Sequence, residues 1–221
     1  MTRRPVVLSL LLISACAACS LHAPRPEGHR TTETRVVPPF ERIAVGGAID
    51  AKIRVGQPLR VALTTDAARL PNLAVRVRDG VLSIEQKGDL TGGDLTGGDR
   101  LEVELDTPML KGLEVSGAAD ADVEGVHGER FTLEVSGASD VDVVGSVDVL
   151  EVEASGAADL DLGRLVARTL KLDASGASDV RAHATERADL DVSGASDVEL
   201  SGTATVVRER TSGASSVTQA H

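Results

Sequence analysis

Leu113-Glu114-Val115 sets a pattern that returns as Leu133-Glu134-Val135, Val152-Glu153-Ala154, Leu172-Asp173-Ala174 and Leu190-Asp191-Val192. Strict apolar–acidic–apolar alternation turns one set of side chains inward and the other outward on a β-strand. A second alternation follows each triplet, at Ala121/Val123, Val141/Val143, Leu160/Leu162, Val180/Ala182 and Val198/Leu200. The two runs are joined by a Ser-Gly-Ala phrase that ends in Asp in five copies and frays to Ser216 in the sixth. Its serines stand at 116, 136, 155, 175, 193 and 212, separated by 20, 19, 20, 18 and 19 residues. A fixed period of this length marks a solenoid, in which each repeat is one coil lying on the last. The pattern predicts an all-β chain, a single-stranded parallel β-helix (β-solenoid) with coils of 18–20 residues. Right-handed winding and a triangular section are what known parallel β-helices lead one to expect. A third strand per coil is predicted near Val126, Val147–Val149 and Leu165–Val166, where the differences in coil length are absorbed.

The phrases read as corners: Ser116-Gly117, Ser136-Gly137, Ser155-Gly156, Ser175-Gly176, Ser193-Gly194 and Ser212-Gly213. Glycine there implies a positive φ or a close approach to the next coil. The alanine that follows each glycine, from Ala118 to Ala214, is expected to fill a tight interior at the bend. In the last copy Glu209-Arg210-Thr211 replaces the apolar pattern, as suits a final coil facing water.

Upstream, residues 40–109 form a β-rich start to the stack, and residues 110–221 form the regular coils and the C-terminal end. Leu59, Val61 and Leu63 alternate as a strand. Val75 and Val77, a turn at Asp79-Gly80, then Leu82 and Ile84 predict a hairpin. Leu101, Val103 and Leu105 form another strand, stopped by Pro108. Between them Asp89-Leu90-Thr91-Gly92-Gly93-Asp94-Leu95-Thr96-Gly97-Gly98-Asp99 reads first as a solvated glycine-rich loop. The alternative is a weak Ca²⁺ loop using Asp89, Asp94 and Asp99, since hard cations take carboxylate oxygens. No other cofactor is expected.

Residues 1–15 read as a lipoprotein signal peptide, with Arg3 and Arg4 ahead of a short apolar run from Val6 to Ile13. Ile13-Ser14-Ala15-Cys16 resembles a bacterial lipobox, which implies lipidation (palmitate) of Cys16 and attachment to a membrane through that lipid. Ala17 rather than Asp after the cysteine suggests, by the same resemblance, outer-membrane sorting with the domain facing the periplasm or the outside. Residues 16–39, with Pro24, Pro26, Pro38 and Pro39, read as a lipidated N-terminus and flexible tether. No cysteine follows Cys19, so the fold holds no internal disulfide.

The register predicts two acidic ladders. One is Glu114, Glu134, Glu153, Asp173 and Asp191, outward on a strand. The other is Asp120, Asp140, Asp159, Asp179 and Asp197, just past the corner. Stacked like charges repel. For the first ladder the leading account is a water-facing strand face broken up by basic neighbours. For the second it is Asx-turn bonding to backbone N–H groups at the bend. The alternative for either is a linear site for Ca²⁺ or a cationic partner.

Composition narrows the function. The formal charge is −11, which disfavours nucleic acid as a partner. Phe40 and Phe131 are the only aromatic side chains of the Phe, Trp and Tyr types, so the stacking platforms common in sugar-cleaving sites are missing. His127, His183 and His221 stand apart from any distinctive nucleophile, and no two histidines are expected to share a repeat register, which argues against zinc. Repeated carboxylates suit architecture better than an acid–base pair, and no enzymatic activity is expected.

From about Phe40 to Val217 the chain resembles the autotransporter adhesin head domain family, also called the head GIN domain. The marks are Phe40-x-x-Ile43 leading into Val45-Gly46-Gly47, then Val81-Leu82-Ser83-Ile84. Leu101 to Leu105 with Thr107-Pro108-Met109-Leu110 and the coil motif Leu113-x-Val115-Ser116-Gly117 complete them. The resemblance implies a β-helical domain on exported proteins, often lipoproteins, and brings no catalytic residues. The expected function is an envelope-anchored adhesion or binding module for a cell-surface glycan or envelope protein. A structural envelope lipoprotein and a weak calcium-binding surface protein are the alternatives.

Overall fold

The computed structural model describes residues 30–86 and 100–220. Cys16, Asp89, Asp94, Asp99 and His221 lie outside them. The described residues form one 15-stranded sheet wound into a β-solenoid. Its regular part is β8 (Gly112–Gly117), β9 (Asp120–Gly137), β10 (Asp140–Gly156), β11 (Asp159–Ala174), β12 (Asp179–Val192), β13 (Asp197–Gly202), β14 (Thr205–Thr211) and β15 (Ser216–Ala220). Every pairing among these strands is parallel.

The apolar columns face inward as the alternation requires. Leu133, Val135, Val141 and Val143 are buried, as are their counterparts in the neighbouring coils. Val126, Val147 and Leu165 close the third side, and Phe131, Leu150 and Leu170 form a further buried column there. The register slips between Val144 and Gly145, between Leu162 and Val166 and between Ala167 and Thr169, so the variation in coil length is taken up before and within the third strand. In the last coil Glu209, Thr211 and Gln219 fall on the columns of Leu190, Val192 and Leu200 and stand exposed. Polar groups at core positions end the stack and discourage another strand from adding to it.

The start of the stack departs from sequence order. β2 (Arg42–Gly47) and β3 (Ile49–Val55) form a coil directly beside β8 and β9. β6 (Val81–Gln86) and β7 (Leu101–Thr107), though later in the chain, lie on the outer side of β2 and β3. Thr107 and the residues after it then carry the chain past the β2–β3 coil to β8. β4 (Arg60–Asp66), β5 (Leu73–Arg78) and β1 (Arg30–Arg35) pair antiparallel onto this outer coil and cover it. The β5–β6 hairpin turns at Asp79-Gly80, both with positive φ, as predicted.

Two expectations need correction. The tether was expected to run to Pro39, but Arg30–Arg35 is a strand in register with Val61–Asp66. Its backbone is held by β4 although none of its side chains is buried. The alanine after each corner glycine also does not fill the interior. Ala118, Ala138, Ala157, Ala177 and Ala195 are exposed, and the next residue turns inward: Ala119, Ser139, Ala158, Ser178 and Ser196 are buried. The inward residues keep even spacing across the corner, as in Val135, Ser139 and Val141, and only the left-handed glycine at the intervening inward position turns outward.

The candidate acidic groove

The corners fix the site. Gly117, Gly137, Gly156, Gly176, Gly194 and Gly213 all have positive φ, and a Cβ on any of them would stand 2.2–2.9 Å from the carbonyl oxygen of the glycine one coil earlier. Each of those oxygens accepts the N–H of the following coil's alanine, from Ala118 onto Gly47 (2.9 Å) to Ala214 onto Gly194 (2.7 Å). Both reasons for glycine therefore apply at once. The serine columns run beside this spine. Ser116, Ser175 and Ser193 donate long hydrogen bonds of 3.4 Å to carbonyls of the preceding coil. Ser178, Ser196 and Ser215 donate to the corner-serine carbonyl three residues back.

This spine locks the first acidic ladder. Glu114, Glu134, Glu153, Asp173 and Asp191 are direct neighbours from coil to coil. With Ser136, Ser155, Ser175 and Ser193 they line an open groove of about 490 Å³. Ion pairs form at its far end: Lys171 lies 3.8 Å from Asp173, and Arg210, one coil beyond Asp191, lies 3.5 Å from it. Glu114, Glu134 and Glu153 have no ion pair among the described residues. Carboxylates about 4.8 Å apart sit inside the screening length of about 8 Å at physiological salt, so their fields add.

The second ladder also stacks in register, and Asp50 extends it by one coil. Its side chains do not make the expected Asx turns. Arg100 bridges Asp50 (2.8 Å) and Asp120 (2.5 Å), Ser216 donates to Asp197 (2.6 Å), and Arg181 lies 3.7 Å from Asp159. The corner N–H groups are already taken by the preceding coil, as in Asp159 onto Ser139 and Asp179 onto Ala158. Burial, with the charges of Asp120 and Glu102, raises the Asp50 carboxyl above its ordinary range, and Arg100 opposes the shift. A further outward column, Asp122, Asp142 and Asp161, runs two residues away and was not foreseen. It is partly neutralised, with Arg164 2.5 Å from Asp142.

The histidine expectation also changes. His127 and His183 do share one register column, with Ser146 and Val166 between them. Three coil spacings, about 14 Å, are too far for a shared zinc ion. His127 Nδ1 lies 2.8 Å from the Gly125 carbonyl, and His183 Nδ1 lies 2.9 Å from Ser201 Oγ. The latter pair has no carboxylate to orient the imidazole among the described residues. No group of three or more His, Cys, Asp or Glu among them is arranged to hold a metal ion. No helix among them is long and apolar enough to cross a membrane.

Residues 39–204 match the family described as "Putative auto-transporter adhesin, head GIN domain". No curated protein matches the chain. Among solved structures, a "putative adhesin" from Bacteroides fragilis superposes with TM-score 0.70 at 18% identity, covering 88% of this chain and 99% of that one. A "putative adhesin" from Parabacteroides merdae gives TM-score 0.55 at 17% identity, covering 88% and 98%. A "putative lipid binding protein" from Parabacteroides distasonis gives 0.51 at 13%, covering 88% and 98%. At these identities the likeness shows the shared fold.

Proposed function

The chain belongs to the auto-transporter adhesin head GIN domain family, and from that premise we propose that it is a non-enzymatic binding module of the cell envelope. Its contact surface is the groove of the first acidic ladder. Its ligand is an amine-bearing glycan or a basic envelope protein. Lipid on Cys16 anchors the exported chain to the outer membrane. The observation that carries the reading is the run of Glu114, Glu134 and Glu153, adjacent in register and without an ion pair among the described residues. An uncompensated charge row on a rigid face costs stability, so it calls for a counter-charge from outside. Identical positions one coil apart offer the same weak contact repeatedly, and repetition converts weak contacts into avidity.

The test is retention on immobilised head domain of neutral, anionic and amine-bearing glycans and of solubilised envelope proteins. Saturable retention of a cationic class supports the proposal. Retention of anionic ligands alone, or of nothing, overturns it. Anchoring is tested separately, because Cys16→Ser should move the protein out of the membrane fraction, and protease shaving of intact cells reports which side it faces.

A further inference from the structure

Arg42 heads an outward column on the face that carries the acidic ladder. Below Thr132 that column alternates in sign: Glu151, Lys171, Asp189, Arg208. Each of these has an opposite charge one coil away. Arg42 does not, because it lies between Val81 and Gly112. Its guanidinium has no carboxylate partner among the described residues.

Gly112 carries the second observation. It is buried in a strand and its φ is not positive, so the backbone does not demand glycine there. A Cβ would instead crowd the Arg42 stem, at 3.3 Å from both Cγ and Cδ. A glycine within a strand weakens it and commonly marks a place where something approaches closely. Here its missing side chain lets the arginine stem lie flat. The result is a notch of about 340 Å³. Lys111 and Arg130 also line it, each already paired, with Glu41 and Glu151 respectively.

We infer that this notch binds a single carboxylate or sulfate group through Arg42. The planar fork of an unpaired guanidinium suits both groups. The inference goes beyond the ladder reading and does not depend on it. Glu114 and Glu134 also line the notch, so a chain of consecutive anionic groups is repelled. The notch therefore takes an isolated anionic group on an otherwise neutral or cationic ligand.

The experiment is an NMR titration of the protein, following the Arg42 Nε–Hε and Gly112 amide signals. The probes are acetate and inorganic sulfate, with dextran sulfate as the polyanion. Acetate and sulfate should shift both signals saturably, and dextran sulfate should bind no more tightly per sulfate than the free ion. Arg42→Gln should weaken acetate binding at least about tenfold. Gly112→Ala, which raises the floor and keeps the charge, should weaken it too. Lack of saturation, undiminished binding in both variants, or tightest binding by the polyanion would overturn the inference.

Discussion

Gly137 lies directly on Gly117: a Cβ on Gly137 would stand 2.2 Å from the Gly117 carbonyl oxygen, which accepts the Ala138 N–H at 2.8 Å. Gly56 also has positive φ but has no described atom within 4 Å of a Cβ. Gly56→Ala should therefore cost only the backbone strain, about 1–2 kcal/mol. Gly137→Ala adds a clash that must break the spine, and should cost at least about 3 kcal/mol or prevent folding. Thermal or urea unfolding of the two variants separates conformation from close approach, and equal losses would refute the stacking contact.

Arg54 holds Asp106 with two hydrogen bonds, 2.7 and 3.1 Å, where β3 meets β7. Asp106 is buried, and losing Arg54 leaves its charge with only the more distant Arg60, 3.9 Å away. Arg54→Gln should lower Tm, and adding Asp106→Asn should restore part of the loss. A double-mutant cycle with no coupling would show that the pair contributes nothing.

Asp50 predicts a pH effect of definite sign. Its folded pKa is raised, chiefly by desolvation. Between the unfolded and the raised folded value, the folded state holds more proton than the unfolded one. Stability from this group therefore increases as pH falls through the folded pKa. Asp50→Asn should remove that increment from the pH–stability curve. An unchanged slope would contradict the assignment.

β1 contributes backbone pairing and no buried side chain. Removing residues through 35 should lower Tm by only a few degrees while exposing the β4 edge. Size-exclusion chromatography should then show association that the longer chain lacks. Global unfolding of the truncated chain would show that β1 is part of the core.

The regular coils were legible because two periodicities coincide: alternation within a strand and recurrence of Ser-Gly-Ala between coils. The acidic groove followed from them, since Glu134 shares its strand with Leu133 and Val135. The outer position of β6 and β7 was not legible, because nothing local in Val81–Gln86 says which parallel neighbour it meets. β1 was missed because Arg30–Arg35 has no buried face and thus no alternation to read. The Arg42 notch was hidden because Gly112, shortly after Pro108, looks like a loop residue until the register places it under an arginine.

The central claim is that the ladder through Glu134 and Glu153, rather than net negative charge, is the contact surface. The direct measurement is binding to an immobilised amine-bearing polymer across a salt series, comparing Glu134→Gln/Glu153→Gln with Asp140→Asn/Asp159→Asn. Both pairs remove the same charge, from different faces of the same coils. The account predicts at least about tenfold weaker binding and a shallower salt dependence for the first pair, with little change for the second. Equal weakening in both would mean that the protein binds cations only as a diffuse polyanion, and would contradict the account.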